Sequence, residues 1–224
     1  MRKLYHTILS PFCRKVRLLL LEKGLECELV HENVWDRRME FFALNPAGEV
    51  PVLVEADGQT ICGNYAIMEY IEEAHRDSAK PLLGATIAER CEVRRLVDWF
   101  DRKFDQEVTH NILFEKIFKR LMRYGEPQSD ALRAGKHNLL YHMDYIAFIT
   151  QEHRFLAGDS MTMADLAAAS HFSALDYLGD VPWDEYPKVR EWYSLMKSRP
   201  SFRPLLSDRV AAFRPPVHYE NPDF

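Results

Sequence analysis

The sequence predicts an α/β domain followed by an all-α domain, and three observations carry that prediction. Up to about Ala74, strand-like and helix-like segments alternate in the order β-α-β, connection, β-β-α. From Ala88 onward the apolar residues keep a helical rhythm, and no convincing strand occurs. Between the two, "SAKPLLGAT" (Ser78 to Thr86) breaks both periods and reads as an interdomain linker. The expected organisation is a first domain over 1–78, a linker over 79–87, a helical domain over 88–207 and a tail over 208–224.

Each element has a local reason. "KLYH" (Lys3 to His6) is a short strand. Ser10 suits a helix N-cap, and Pro11 at the first helical position gives up an N–H that would lack a partner anyway. That helix runs to about Lys23, where Gly24 supplies the stop. "CELVH" (Cys27 to His31) is a second strand, followed by an irregular stretch or short helix leading to "PVLVE". Strands over Val52 to Glu55 and Gln59 to Cys62 flank Ala56-Asp57-Gly58, where Asp-Gly suits a tight hairpin. A helix follows from Asn64, taken as its N-cap, to about Ala74. Beyond the linker, Leu96, Trp99, Phe100, Phe104, Val108 and Ile112 mark a long helical run from Ala88 to Tyr124. "GEPQSDALRAG" interrupts it, and Lys136 to His153 forms the next helix. Thr162 and Asp165, three residues apart, form a capping box, and a further helix opens near Pro187.

Composition narrows the function classes. Hydrophobic content of 47% with 28% charge, over 224 residues, fits a folded globular chain. A net charge of −5 argues against bulk nucleic-acid binding. No apolar run of signal-peptide or membrane-span length occurs in the sequence, so a cytoplasmic location without membrane insertion is expected. The cysteines, Cys13, Cys27, Cys62 and Cys91, form no C-x-x-C pair, and the histidines have no zinc-site spacing. Free thiols and no metal site are expected.

"LSPFCRKVRLLL" raises the chemical question. Thiol-disulfide enzymes place Cys-Pro-x-Cys where a strand meets a helix; here the first position is Ser10 and only the second, Cys13, carries sulfur. A hydroxyl there can donate to a ligand thiol, or can simply cap the helix; the local sequence leaves both open.

Three segments in order resemble the glutathione transferase superfamily over roughly residues 1 to 206: "SPFCRKVRLLLLEKGL", "NPAGEVPVLVEADG" and "SMTMADLAAA". The resemblance implies a thioredoxin-like N-terminal domain, a helical C-terminal domain, a cis bond at Val50-Pro51 and a homodimer. It also implies a glutathione pocket that includes Ser10, Phe12, Val50, Pro51 and Asn64, with Ser10 as the catalytic hydroxyl if the chain is a serine-type transferase. The family holds the γ-glutamyl end with an acidic residue or Gln followed by Ser or Thr. In "ICGNYAIMEYI" that pair is Gly63-Asn64, which offers no acceptor for the ligand's ammonium. Losing one charge-assisted hydrogen bond weakens binding by about ten- to hundredfold. The pocket is therefore read as vestigial, with no cofactor and a leaning against catalysis; the alternative is a serine-type glutathione transferase acting on small electrophiles.

Two further segments suit partners. In "FRPPVHYENPDF", Arg214, Pro215, Pro216, His218, Tyr219, Asp223 and Phe224 suggest an extended segment captured like a peptide, and the bland reading is a tail folded back on its own domain. Deleting this tail is expected to leave the folded core nearly intact. In "EKIFKRLMR", Lys116, Lys119, Arg120 and Arg123 fall on one helical face as a basic stripe that could meet an acidic protein, or that is merely solvated. The Gly63-Asn64 departure and the tail together resemble the superfamily's alphaproteobacterial cell-division members. That resemblance implies a dimer that binds filaments of the tubulin-like protein FtsZ at the division site, with the tail serving a second division partner.

Overall fold

The computed structural model describes residues 1–76, 81–211 and 213–222. They form two compact units, Met1–Leu82 and Leu83–Phe224. Ser78 and the first part of the expected linker lie outside the described residues.

The first unit is a four-stranded mixed sheet in the order β2-β1-β3-β4, with helices α1 and α3 packed together. β1 (Lys3–His6) pairs in parallel with β2 (Glu28–His31), which the intervening α1 (Pro11–Glu22) makes possible as a crossover. β3 (Val52–Val54) and β4 (Thr60–Cys62) form the antiparallel hairpin, with Leu4 opposite Leu53 and Leu53 opposite Ile61. Leu4, Val16, Leu18, Leu53, Ile67 and Ile71 are fully buried and make the core. A 3-10 turn (Val34–Asp36) and the short α2 (Met39–Leu44) occupy the connection before the hairpin, where Phe41 is buried. The bond between Val50 and Pro51 is cis.

α3 (Asn64–Ala74) starts one residue earlier than expected. Its N-cap is Gly63, at φ 87, and Asn64 is the first helical residue. The reason is the chain's turn out of β4. It needs a positive φ that glycine adopts without steric cost, which leaves Asn64 no role as a cap. The buried Glu72 of this helix ties the unit's end down, pairing with Lys23 at 2.8 Å and accepting the Leu82 N–H at 3.0 Å.

The second unit is helical. α4 (Ile87–Asp98) has a capping box that the sequence reading assigned to the linker. Thr86 Oγ1 accepts from Glu89 N, and Glu89 Oε2 accepts from Thr86 N at 3.0 Å and from Ala85 N at 2.7 Å. The helical path continues as a π-type stretch (Trp99–Phe118) and a closing turn, α5 (Lys119–Leu121). Phe100, Phe104, Val108, Ile112 and Ile117 are all fully buried. That spacing of four and then five residues keeps one face of a widely wound helix inward, where an α-helix would rotate Ile117 away.

α6 (Ser129–Ile149) starts well before the expected Lys136. Gly135, read from sequence as part of an interruption, sits inside the helix because of what it touches. A Cβ there would lie 2.8 Å from Ile112 and 3.0 Å from Asn111. The glycine permits the close approach of two helices rather than a turn.

α7 (Met163–Tyr177) is buried along its whole length, and its alanine-rich sequence carries Asp165, Ser170, His171, Ser173 and Asp176 inside with it. Its capping box forms as read from Thr162 and Asp165. Asp165, fully buried, accepts from Leu156 N, Thr162 N and Trp192 Nε1 at 2.9, 2.8 and 3.0 Å. Around α7 lie α8 (Pro187–Lys197), the short α9 (Arg203–Leu206) and a 3-10 turn at Trp183–Glu185. Phe172 meets Phe104, Trp183 and Trp192 with ring centroids 5.3–5.9 Å apart.

Candidate functional site

The residues expected to form a ligand pocket all lie in the first unit. The turn from β1 into α1 brings Ser10 to the helix N-terminus, where its Oγ accepts from Cys13 N at 3.4 Å. Capping uses a lone pair and leaves the hydroxyl proton to donate, so the two sequence readings of Ser10 do not exclude each other. Phe12 beside it is half-buried. Cys13 is fully buried, and burial pushes its thiol up to about 11, against the hydrogen bonds of Ser10 and Thr7 and the charge of Arg17, which lower it. It is thus not a nucleophile near neutral pH. Cys27 is likewise pushed up to about 11 by burial. All four cysteines are free.

On the opposite side of this site, the loop before Pro51 is tied by Asn45, whose Nδ2 donates to Glu49 O at 2.8 Å and whose Oδ1 accepts from Ala47 N at 3.1 Å. Val50 is half-buried and Pro51 buried; the Pro51 carbonyl accepts from Gly63 N at 3.1 Å. Gly63 thereby fixes the start of α3 with backbone alone. Asn64 Oδ1 accepts from Lys15 Nζ at 3.2 Å, and Lys15 is fully buried. Sequence reading missed Lys15. Its position in "CRKV" looks like an ordinary charged helix residue, and only the fold turns it toward Asn64. At this position the chain presents a glycine and an amide whose oxygen already faces a cation.

The basic stripe is not an open surface. Lys116 Nζ donates to Asp180 at 2.6 and 2.7 Å. Lys119 is buried and paired with Glu115 at 2.9 Å. Arg120 lies over the Phe213 ring at 5.4 Å. The helix ends at Leu121, so Arg123 leaves the face and sits in a left-handed turn at φ 58. The expected single helical face does not form: Lys116 lies in the π-type stretch, Lys119 and Arg120 in α5 and Arg123 beyond it, and Lys116 and Lys119 are paired with internal acids.

The tail is also corrected. Asp223 and Phe224 lie outside the described residues. Of the rest, Arg214 is exposed, and Pro215, Pro216 and His218 are half-buried. Tyr219, expected to meet a partner, is fully buried. Its ring meets Tyr177 edge-on at 5.1 Å, and its hydroxyl donates to Leu205 O at 2.9 Å. Tyr177 OH donates in turn to Phe213 O at 2.6 Å and accepts from Val210 N at 3.0 Å. A tyrosine and a proline pair near a chain end looked like a free recognition peptide; here their apolar area is used to dock the segment onto its own domain.

Trp35 and Phe42 are half-buried, with Arg37 5.7 Å from the Phe42 ring centroid. Among the described residues no cluster of three His, Cys, Asp or Glu side chains is placed to hold a metal ion, and no helix is long and apolar enough to cross a membrane.

Residues 4–79 match the glutathione S-transferase N-terminal domain family, and residues 113–209 match the glutathione S-transferase C-terminal domain family. The chain is 47% identical over 226 residues to FtsZ-localized protein A of Caulobacter vibrioides, covering 100% of this chain and 98% of that one. Among solved structures it is similar to a glutathione S-transferase from Rhodospirillum rubrum F11, with a TM-score of 0.97, 53% identity and 100% of both chains covered. It is equally similar in extent to FzlA from C. crescentus, with a TM-score of 0.96, 47% identity, and 100% and 99% of the two chains covered.

Proposed function

We propose that this chain, which belongs to the glutathione S-transferase family, is a non-catalytic cell-division protein that binds FtsZ filaments. The full-length identity of 47% to a protein named for its FtsZ localisation carries the reading, because it extends through the tail as well as both family domains. The state of the ligand pocket supports it independently. Gly63 leaves the ammonium of glutathione without an acceptor, and Lys15 places a cation against Asn64 at 3.2 Å.

The chain acts as a homodimer in the cytoplasm at the division site, promotes constriction there, and uses its tail for a second division partner. Two copies make each partner-binding surface bivalent, which raises avidity for a polymer without any new contact. Filament binding resides in the folded body, where a rigid surface can match a repeating one. Within the tail, the exposed Arg214 and the end that carries Asp223 are the candidates for the second partner, while Tyr219 is the anchor. Of the basic stripe, Arg120 and Arg123 are the members with exposed side chains.

A serine-type transferase is the second reading, and one observation favours it: the Ser10 hydroxyl caps α1 without using its proton. Co-sedimentation with FtsZ filaments, run beside calorimetric titration with glutathione, separates the two. Filament binding with no sub-millimolar glutathione binding is the expected result. Glutathione binding below a millimolar, with thioether formation that Ser10→Ala abolishes, would transfer the assignment to the transferase.

A further inference from the structure

The described part of the tail is held to the helical unit by the buried Tyr219, by the Tyr177 hydroxyl at Val210 and Phe213, and by one buried carboxylate that His218 meets. Asp176 lies near the end of α7 and is fully buried. Its Oδ1 accepts from Trp183 Nε1 at 2.9 Å and from His218 Nε2 at 3.0 Å. Its Oδ2 accepts from Tyr193 OH at 3.3 Å and lies 3.4 Å from Lys197 Nζ, whose side chain is also fully buried. An ionised carboxylate only accepts, so His218 carries its proton on Nε2 in this contact. Lys197 closes the ring by donating to the His218 carbonyl at 2.8 Å.

The tail therefore contributes both a side chain and a backbone oxygen to an ion pair that belongs to the body. Remove the tail's share, and a buried carboxylate and a buried ammonium each lose a partner that nothing nearby on the tail replaces. Two flanking contacts are weaker or more exposed: Pro216 rests near Gly179, and the Arg209–Glu220 pair is half open to solvent. Val217, next to His218, is 95% exposed, so beside the buried Tyr219 this part of the strap is held through His218 and not through Val217. The clasp can also be reached from outside. His218 lines an open cavity of about 360 Å³ together with Trp183, Asp184 and Arg190.

We propose that the tail is a strap whose seated state is set by the Asp176–Lys197–His218 clasp, and that the seated strap is the form in which the tail acts. The clasp fixes the described part of the tail, at His218 and Tyr219, on the helical unit. A loosened strap would have to be ordered again on binding, at an entropic cost that the seated one has already met. The contacts carry the clasp itself; its use in division rests on the function proposed above.

Hydrogen exchange measured by mass spectrometry on the full chain tests the clasp. In His218→Ala, amides over 209–221 should exchange about tenfold faster or more, from the loss of one charge-assisted hydrogen bond. Protection of α7 and α8 should stay as in the unaltered chain. Lys197→Met is the second variant and should loosen the same peptides. If tail exchange stays unchanged in His218→Ala, the clasp does not hold the strap and the proposal is overturned. The same variant, expressed in cells that depend on it, should impair division while its FtsZ co-sedimentation equals that of the unaltered chain. Normal division with a loosened tail would overturn the use of the seated form. Failure of the unaltered chain to co-sediment would count against the division reading and leave the exchange result standing.

Discussion

Placing glutamate at position 63 is the sharpest test of the proposal that the ligand pocket is degenerate. Gly63 sits at φ 87, and nothing lies within 4 Å of where a Cβ would be built. Space is therefore not the obstacle; the backbone conformation is. A non-glycine residue held at this positive φ with extended ψ costs about 1–3 kcal/mol. For a chain of this size each kcal/mol moves the unfolding midpoint by about 2–4 °C, so Gly63→Glu and Gly63→Ala should both lower it by about 2–12 °C. Only the glutamate restores an acceptor for an ammonium, worth about ten- to hundredfold in affinity. Lys15, 3.2 Å from Asn64, competes for the new carboxylate, so the lower end of that range is expected. Calorimetric titration with glutathione and thermal unfolding, run on all three chains, read both effects. Should the unaltered chain already bind glutathione below a millimolar, the pocket is not degenerate. Should Gly63→Glu fold, show the predicted loss of stability and gain no affinity, the missing acceptor is not what the pocket lacks.

Three other outcomes are expected. Tyr219→Ala should destabilise the helical unit by about 3–5 kcal/mol, as deletion of a buried aromatic ring does, measured by denaturant unfolding; an unchanged midpoint would return the tail to the status of a dispensable arm. Light scattering at micromolar concentration should give twice the chain mass of 26.3 kDa, and a mass of one chain would remove the homodimer from the proposed function. His142 is fully buried and its pKa is lowered by that burial, which outweighs the Glu107 hydrogen bond that raises it. The unfolded chain thus binds more protons than the folded one just below the ordinary histidine value of 6.5, so stability present at neutral pH should fall as pH drops through 6.5. Thermal unfolding between pH 7.5 and 5.5 should show a smaller loss in His142→Gln, and an equal loss would clear this histidine.

The fold was legible where a local signal and its structural use coincide. Ser10-Pro11 opens α1, and Thr162 with Asp165 opens α7, because a cap is satisfied within one turn and needs no information from elsewhere in the chain. The reading failed where a residue's local meaning was overridden by a distant contact. Gly135 has the composition of a breaker, but Ile112 and Asn111 approach it from another helix, and that approach decides its use. Thr86 has the composition of a linker residue, and Glu89 three positions on was the signal that would have moved it into a cap.

The same distinction separates what was readable in the candidate sites. The lack of an acidic side chain at Gly63-Asn64 could be read from sequence, because an absence of charge needs no geometry; its effect on ligand binding is part of the proposal. Lys15 could not, since its relation to Asn64 exists only after α1 and α3 have packed. The tail and the basic stripe went wrong for one shared reason. Charged and aromatic residues were counted as surface, although each had an internal counterpart far along the chain: Asp180 for Lys116, Tyr177 for Tyr219, and Asp176 for His218. A net charge spread over many local pairs does not reveal which charges are already spent inside the fold. In this chain, Asp176 and Asp180 sit at and just beyond the end of the buried α7, and between them they pair with Lys116, Lys136, Lys197 and His218, of which Lys197 is fully buried. What is left outward for partners is a smaller set than the sequence advertises, and Arg120, Arg123 and Arg214 are the members of it on which substitution can act without first breaking an ion pair of this acidic end.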